Sequence, residues 1–512
     1  MTTSHHDADI IVIGSGIGGL SAAALLAHDG LDVIVCESHT IAGGAAHGFE
    51  HQGFRFDSGP SLYSGLSGPS SNPLRHVLQL IEEDVDWANY DTWGCCLPEG
   101  DFDTQVGANQ FCDVLAKLRG SDAVQEWRQL QQQLYPLGQA ATALPPVALR
   151  WDWKAALTVG RFTPTLLTHG WQMAQLSGSF AAVMDRYVTD PFIRNWLDLL
   201  CFLLSGLPAS GTSAAEMAFM FAEWYRPNVQ LDYPIGGSQA LVDALVRGLT
   251  RRGGQLRLGT HVDQILVEQG RAKGVRTRKN EVIHARQAII ANSSVWDTRS
   301  LLGAVDLPAK DVMAEVPACP SFMHLHSGID GANLPDLACH YIVVNDWDQG
   351  VTAPQNVVLI SIPSVLDPSL APSGKHVIHA YTPGSEPYDL WEGLDRRSPA
   401  YQKQKQARSE VLWRAIERVI PDVRDRSEVA LIGTPLTHQR YLRRYRGSYG
   451  PAISAAEGFF PSGKTTIPNL IRCGDSVFPG IGLPAVAASG LIAANTLTSL
   501  RSHVDRLRQL GY

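Results

Sequence analysis

The stretch ADIIVIGSGIGGLSAAALLAHDGLDVIVCE, residues 8–37, decides how this chain folds. Residues 8–13 are apolar and rich in β-branched side chains, the pattern of a buried parallel strand. Gly14-Ser15-Gly16-Ile17-Gly18-Gly19 follows, then an Ala/Leu-rich run over 20–28 that reads as a helix stopped by Gly30. A second strand, 32–36, ends at Glu37. Gly14 permits the tight turn, Gly16 lets backbone N–H groups reach a pyrophosphate, and Gly19 lets helix and strand pack closely. The helix N-terminus adds a positive dipole end for an anion. Glu37 stands where a carboxylate can accept hydrogen bonds from an adenosine ribose. Strand, glycines, helix and acid in register predict a dinucleotide site.

Working outward, Ser38, Gly43, Gly44 and Ala45 come next, followed by Gly53 and Asp57-Ser58-Gly59-Pro60. The pattern E-x5-GG…G-x3-D-x-G resembles that of the FAD-binding two-dinucleotide family. The matching piece lies at the far end: a short strand over 470–473, then Gly474 and Asp475, a Gly/Pro loop, and a helix predicted over 485–500. Asp475 is placed to bind ribityl hydroxyls. The helix start at Pro484, Ala485 and Val486 can face the pyrimidine end of a flavin and stabilise negative charge there. By the same likeness Val262 contacts adenine through its backbone, and Asn292 closes a strand end beside the cradle. No second glycine motif with strand, helix and acid in register appears, so a separate nicotinamide domain is not indicated.

These pieces predict an α/β fold. Its dinucleotide-binding, Rossmann-like FAD domain is assembled from residues 1–70, 234–305 and 465–512. An α+β substrate domain takes 71–233, mostly helical and including a membrane-facing part, and 306–464, which contains a sheet. In the middle segment, 255–258 and 262–268 read as strands, 271–278 with 281–284 as a hairpin, and 287–291 as another buried strand. Further on, 356–362 and 376–381 read as strands and 409–419 as a helix.

Composition narrows the function. The 512 residues carry a net charge of -8, which argues against nucleic acid as a partner. The eight Cys form no C-x-x-C pair and read as reduced, buried thiols. The first strand predicted so near Met1 leaves no room for a targeting peptide. The most apolar run, 196–207, is too short for a bilayer span, which takes about 20 residues. The expectation is a cytoplasmic protein, peripheral to a membrane. His324 and His326 alternate along a strand without a third ligand, so they read as core and no metal site is expected. Glu216 and Glu223 are polar residues in an apolar region and are candidates for mutation. Arg440, Arg443, Arg444 and Arg446, interleaved with Tyr441 and Tyr445, could meet lipid headgroups, cofactor phosphates or only water. No Ser-His-Asp triad or paired carboxylates emerge, and the catalytic acid or base is unknown.

The segments VIGSGIGGLSAAALLA, ESHTIAGGAAHGFEHQGFRFDSGPSLYSGL, YPIGGSQALVDALVRGL, ANSSVWDT, PLTHQRYLRRYRGSYGPA and RCGDSVFPGIGLPAVAASGLIAANTL together resemble the carotenoid isomerase branch of the bacterial-type phytoene desaturase family. The likeness runs through nearly the whole chain. It implies FAD as cofactor, a long polyene such as poly-cis lycopene as substrate, a membrane surface as partner, and isomerisation with reduced flavin and no net redox change. On this reading the run 196–207 could form a mouth toward the membrane. A carotenoid desaturase or saturase, a flavin amine oxidase, and a pigment carrier retaining FAD for structure are the alternatives. Oligomeric state is not indicated.

Overall fold

The computed structural model describes residues 6–303, 305 and 316–512. The expected boundary at 305/306 falls beside residues outside that set. Two seven-stranded sheets organise these residues. In the first, the strand His6–Ile13 runs parallel between Val33–Cys36 and Val282–Ala291, and Gln255–Arg257 extends the edge beyond Val33–Cys36. All four residues of Val33–Cys36 are buried, as a strand covered on both faces requires.

Three helices cover one face: Ile17–His28, Ser238–Arg251 and Leu483–Leu497. Glycines set how closely they approach. A Cβ at Gly490 would sit 2.1 Å from the Gly18 carbonyl oxygen, so the first and last of these helices touch backbone to backbone. The sheet continues through Arg271–Thr277 and Val262–Glu268, whose apolar side chains pack with the helix Val295–Leu302 on the other face.

The expected hairpin arm at 281–284 and the separate strand at 287–291 are one ten-residue strand, Val282–Ala291. Its first part pairs antiparallel with Arg271–Thr277, and its last part pairs parallel with Leu470–Arg472. The polar pair Arg286-Gln287 reads as a break in sequence. In space it is an irregularity in the pairing with His6–Ile13, where Arg286 reaches Asp9 at 2.8 Å and Asp32 at 3.0 Å.

The second sheet runs in the order Ser427–Gly433, His324–Asp330, Lys375–Tyr381, Val357–Ser361, His340–Val344, Thr92–Leu97, Gly100–Gln105. The last two strands come from the stretch expected to be mostly helical. Their Cys95-Cys96 and Thr104 positions carried too little periodicity to announce them. The helix Pro399–Glu417 backs this sheet through Leu412, Trp413 and Ile416. It begins ten residues before its predicted start, because Ser398 caps it and Pro399 opens it while its first turns are polar.

The apolar run at 196–207 lies up to residue 205 in the helix Pro191–Ser205; its first part is core, with Trp196, Leu197, Leu199, Leu200 and Phe202 buried and Trp196 stacked on Phe111 at 4.8 Å, while Leu203, Leu204 and Leu207 are half-buried. No helix of the described residues is long and apolar enough to cross a membrane.

Candidate functional site

The first turn carries the site. Gly14 has φ +92°, a conformation that favours glycine, and its N–H donates to the Cys36 carbonyl at 2.9 Å. A Cβ at Gly19 would stand 2.3 Å from the Gly14 carbonyl oxygen. Across the turn lies Asn292, held by its own N–H on the Ile13 carbonyl at 2.9 Å. Its amide side chain occupies the space that a Cβ at Gly16, Gly18, Gly19 or Gly474 would need, at 2.8–3.1 Å. Gly18 also faces the Val486 carbonyl, and the Gly474 N–H is anchored on the Ser489 hydroxyl at 2.8 Å. Residues far apart in the chain therefore meet: Gly14, Gly16, Gly18, Gly19, Asn292, Gly474 and Val486.

Both helices that start here start bare. Ile17–His28 begins on Gly16 and Leu483–Leu497 on Gly482; neither has a side-chain cap or an acid in its first turn. Elsewhere Ser213, Ser398 and Ser499 cap their helices. Two uncapped N-termini with glycine-lined approaches are what a phosphate-bearing cofactor fits, since its anionic oxygens supply the missing acceptors. Pro484 and Ala485 lie in the first turn of the second helix and are partly exposed.

Glu37 is fixed rather than free. One carboxylate oxygen accepts from the Ser15 N–H at 2.8 Å and the Ser15 hydroxyl at 2.6 Å. The other accepts from the His39 N–H at 2.7 Å and the Ser38 hydroxyl at 3.3 Å. These four donors fill the carboxylate, so a ribose hydroxyl would take the place of the longest of them, the Ser38 hydroxyl. The Glu37 carbonyl takes the Thr260 N–H at 2.7 Å, which sets Val262 two residues from the same corner.

Gly43 pairs with Gly16 as an isolated bridge and donates to the Ser15 carbonyl. A Cβ at Gly44 would be 3.0 Å from the Gly16 Cα, and one at Gly59 would be 2.3 Å from the Ala45 carbonyl oxygen. Ser58 donates its N–H and hydroxyl to the His47 carbonyl. Residues 43–47 and 57–60 thus form one layer beside the first turn. The Asp57 side chain is turned the other way. It accepts from the Ser238 N–H at 2.7 Å and the Tyr233 hydroxyl at 2.8 Å, capping the helix Ser238–Arg251, and burial pushes its carboxyl up. Pro60 offers its carbonyl to Tyr63 and Ser238.

On the other side Asp475 pairs with Arg444 at 2.5 Å, and Arg444 also donates to the Ser448 and Tyr449 carbonyls. Arg446 spends its charge on Asp389 and Glu392. The arginine cluster is therefore divided, with one member at the predicted site and one in ion pairs away from it.

Sequence reasoning did not find the wall between these layers. His324 and His326 are buried, as expected, but they join His379 and His438. His326 stacks on His379 at 4.2 Å and donates Nε2–H to the Asp57 carbonyl. Phe49 and Phe56 meet the His326 ring edge-on, and Phe322 packs on His324, His438 and Tyr449. Burial pulls His326 and His438 down to about 4 and His324 and His379 well below the usual range, so all four rings are neutral near pH 7. His324 Nδ1 and His379 Nε2 share one proton at 3.0 Å. The alternation of His379 with Tyr381 in Lys375–Tyr381 was the sequence clue, legible only once that strand is set beside His324–Asp330. Among the described residues no group of three or more His, Cys, Asp or Glu is placed to hold a metal.

Glu216 donates its N–H to the Ser213 hydroxyl, as the third residue of a helix cap does, and Glu223 accepts from Ser71. Neither touches the cradle residues in the contacts described.

Residues 17–498 match the family of flavin containing amine oxidoreductases. Prolycopene isomerase 1, chloroplastic, of an Oncidium hybrid cultivar is 30% identical over 520 residues, covering 96% of this chain and 84% of that protein. A neurosporene-forming phytoene desaturase of Cereibacter sphaeroides is 27% identical, covering 95% and 94%. An oxidoreductase structure from Methanosarcina mazei superposes with a TM-score of 0.62 at 20% identity, covering 94% of this chain and 98% of that one. A mixed α/β flavoprotein scaffold and an oxidoreductase-type enzyme follow. This chain belongs to the flavin-containing amine oxidoreductase family, in the group that holds the prolycopene isomerases and phytoene desaturases.

Proposed function

We propose that this flavoenzyme is an FAD-dependent carotenoid cis–trans isomerase acting on a long polyene such as poly-cis lycopene, with reduced flavin and no net redox change. One observation carries the reading: similarity to a prolycopene isomerase extends over 96% of the chain, substrate half included, and is not confined to the cofactor motifs. The imidazole and phenyl wall supports it, because neutral, flat π faces suit an apolar polyene.

In this proposal Glu37 holds the ribose and Val262 the adenine. The first turn and its helix N-terminus hold the pyrophosphate. Asp475, steered by Arg444, meets the ribityl chain. Residues 43–45 and 58–60 lie along the ring system, and residues 484–486 lie at its pyrimidine end. The FAD unit takes residues 1–70, 234–305 and 465–512; the substrate unit takes 71–233 and 306–464. When bound, reduced FAD supplies the electron density that lowers the order of one double bond so that it can rotate. The protein residues orient the polyene, keep water out and stay uncharged.

The test is anaerobic incubation of chemically reduced, FAD-loaded protein with poly-cis lycopene in liposomes, read by chromatography and mass spectrometry. A product of unchanged mass and altered retention, absent with oxidised flavin, is expected. A mass change of two hydrogens would assign the desaturase or saturase chemistry of the other relatives. No conversion would sink the lycopene assignment.

A further inference from the structure

The helix Pro435–Leu442 and the turn that follows it run along the outer edge of the cradle. At one end Tyr441 meets His39, two residues after Glu37, edge-on at 5.6 Å. At the other, Arg444 pairs with Asp475, and Tyr445 stacks on Trp296 at 4.9 Å while its N–H donates to Asp297 at 3.0 Å. Arg443 and Arg446 hold φ +54° and +50°, a region that side chains disfavour and that persists where the surroundings impose it. The segment is thus pinned to the cradle, yet it keeps large side chains in water. Tyr441 is 47% exposed and Tyr445 is 37% exposed.

The charges indicate what covers it. Residues 429–456 contain four arginines and no Asp, Glu or Lys, in a chain whose net charge is -8. Arg444 and Arg446 are taken up by ion pairs. Arg440 and Arg443 are exposed and meet no carboxylate within ion-pair distance among the described residues; the Arg440 guanidinium lies over the Tyr441 ring at 5.8 Å. Arg299 is exposed in the same way, three residues from Trp296 on the helix Val295–Leu302. Arginine and tyrosine side by side are the composition of protein-binding surfaces, where these two residue types carry much of the energy. Their positive sign on an acidic protein complements an acidic partner and steers its approach. The surface also borders the residues placed around the flavin. The isomerase reading requires reduced flavin, and the sequence has no second glycine motif in register to hold a nicotinamide donor. An acidic protein that carries electrons answers both observations.

We propose that Arg299, Arg440 and Arg443, with Tyr441 and Tyr445, form the docking surface for a small acidic electron-carrier protein that reduces the flavin. Two reduced carriers each lose one electron and leave oxidised. The oxidised flavin gains both electrons and one proton from water. The proposal rests on the isomerase reading only for its need of reduced flavin.

The test mixes the full-length, FAD-loaded protein with a plant-type two-iron ferredoxin, an acidic one-electron carrier, with no polyene present. Titration calorimetry reads association. Anaerobic stopped-flow absorbance reads flavin bleaching by the chemically reduced ferredoxin. Wild type is expected to associate, and its bleaching rate to fall at least about tenfold between about 50 mM and about 500 mM salt. Arg440→Glu with Arg443→Glu is expected to weaken association and slow bleaching at least about tenfold at low salt. Melting temperature, FAD content and bleaching by dithionite should stay unchanged, because both side chains are exposed. Arg440→Gln with Arg443→Gln gives a smaller loss and covers the case in which the acidic pair misfolds. Wild type that does not associate, or arginine variants that associate and bleach as wild type does, would overturn the proposal. So would loss of FAD from the arginine variants, which would assign these side chains to the cofactor phosphates. Binding to anionic vesicles that the same substitutions abolish, with ferredoxin association intact, would overturn it in favour of a lipid surface. Lycopene isomerisation by the dithionite-reduced protein is measured separately, and its failure bears only on the isomerase reading.

Discussion

One methyl group tests the cradle. Gly19→Ala places a Cβ 2.3 Å from the Gly14 carbonyl oxygen, backbone that cannot swing away, and against the Asn292 side chain at 2.9 Å. We expect a loss of about 1–3 kcal/mol, read by thermal unfolding, together with colourless purified protein. At Gly30 the space is open and only φ +85° resists, so Gly30→Ala should cost about 1 kcal/mol and keep the flavin. The buried imidazoles give a pH signature. His326 and His438 titrate near 4 when folded and near 6.5 when unfolded, so below about pH 6.5 the unfolded chain binds more protons. Their full stability is present above pH 6.5 and drains away as pH falls toward 4. Each buried ring accounts for on the order of 3 kcal/mol. Melting temperature should drop steeply between pH 7 and 4, and His326→Gln should flatten that slope. At this scale the glycines were legible because backbone conformation constrains them locally. Asp57 was legible as a position, but its partners Tyr233 and Ser238 arrive from a distant segment, and no local pattern announces them.

Among the elements, the helix Ala214–Trp224 shows how a candidate catalytic acid becomes a structural one. Ser213 caps it, and Glu216 closes the cap from the third position while burial pushes its carboxyl up to about 7. A raised carboxylate means that the folded form holds its proton where the unfolded form has lost it. Its cost therefore builds as pH rises from about 4.5 to 7. Glu216→Gln should stabilise the protein at pH 8 relative to pH 4 in paired denaturant titrations; the opposite sign would rule out a carboxyl raised by burial. Helix starts with a clear cap or glycine turn were readable, as at Ile17–His28. The helix predicted over 485–500 runs over Leu483–Leu497, and a second helix, Leu500–Gln509, capped by Ser499, went unread because its sequence is mostly polar. Strands were readable where they are apolar throughout and unreadable where a polar pair interrupts them, as Arg286-Gln287 does.

In the whole molecule, all eight cysteines are free and buried. Burial pushes Cys36 up to about 12 and Cys96 up to about 11, so few thiolates exist near neutrality. A thiol reagent at pH 7.5 should find almost none in the native protein and eight after denaturation; a fast-reacting native thiol would show that one of them is presented to solvent. The two-sheet plan was largely legible, since its glycine motifs sit at both ends of the chain. The recruitment of Thr92–Leu97 and Gly100–Gln105 into the second sheet was not, because sheet membership depends on pairing partners far away in sequence.

The short strand Leu470–Arg472 has a consequence for how the protein is made. It completes the wall along Ile289–Ala291, and the second bare helix end follows it directly. Leu470–Arg472 follows Val282–Ala291 only after a long stretch of chain, so the Ile289–Ala291 edge is made well before its partner and stays unpaired in between, a natural handle for chaperones. The cradle closes only once both pieces are made, so flavin supply is expected to govern how much chain matures rather than how fast it is translated.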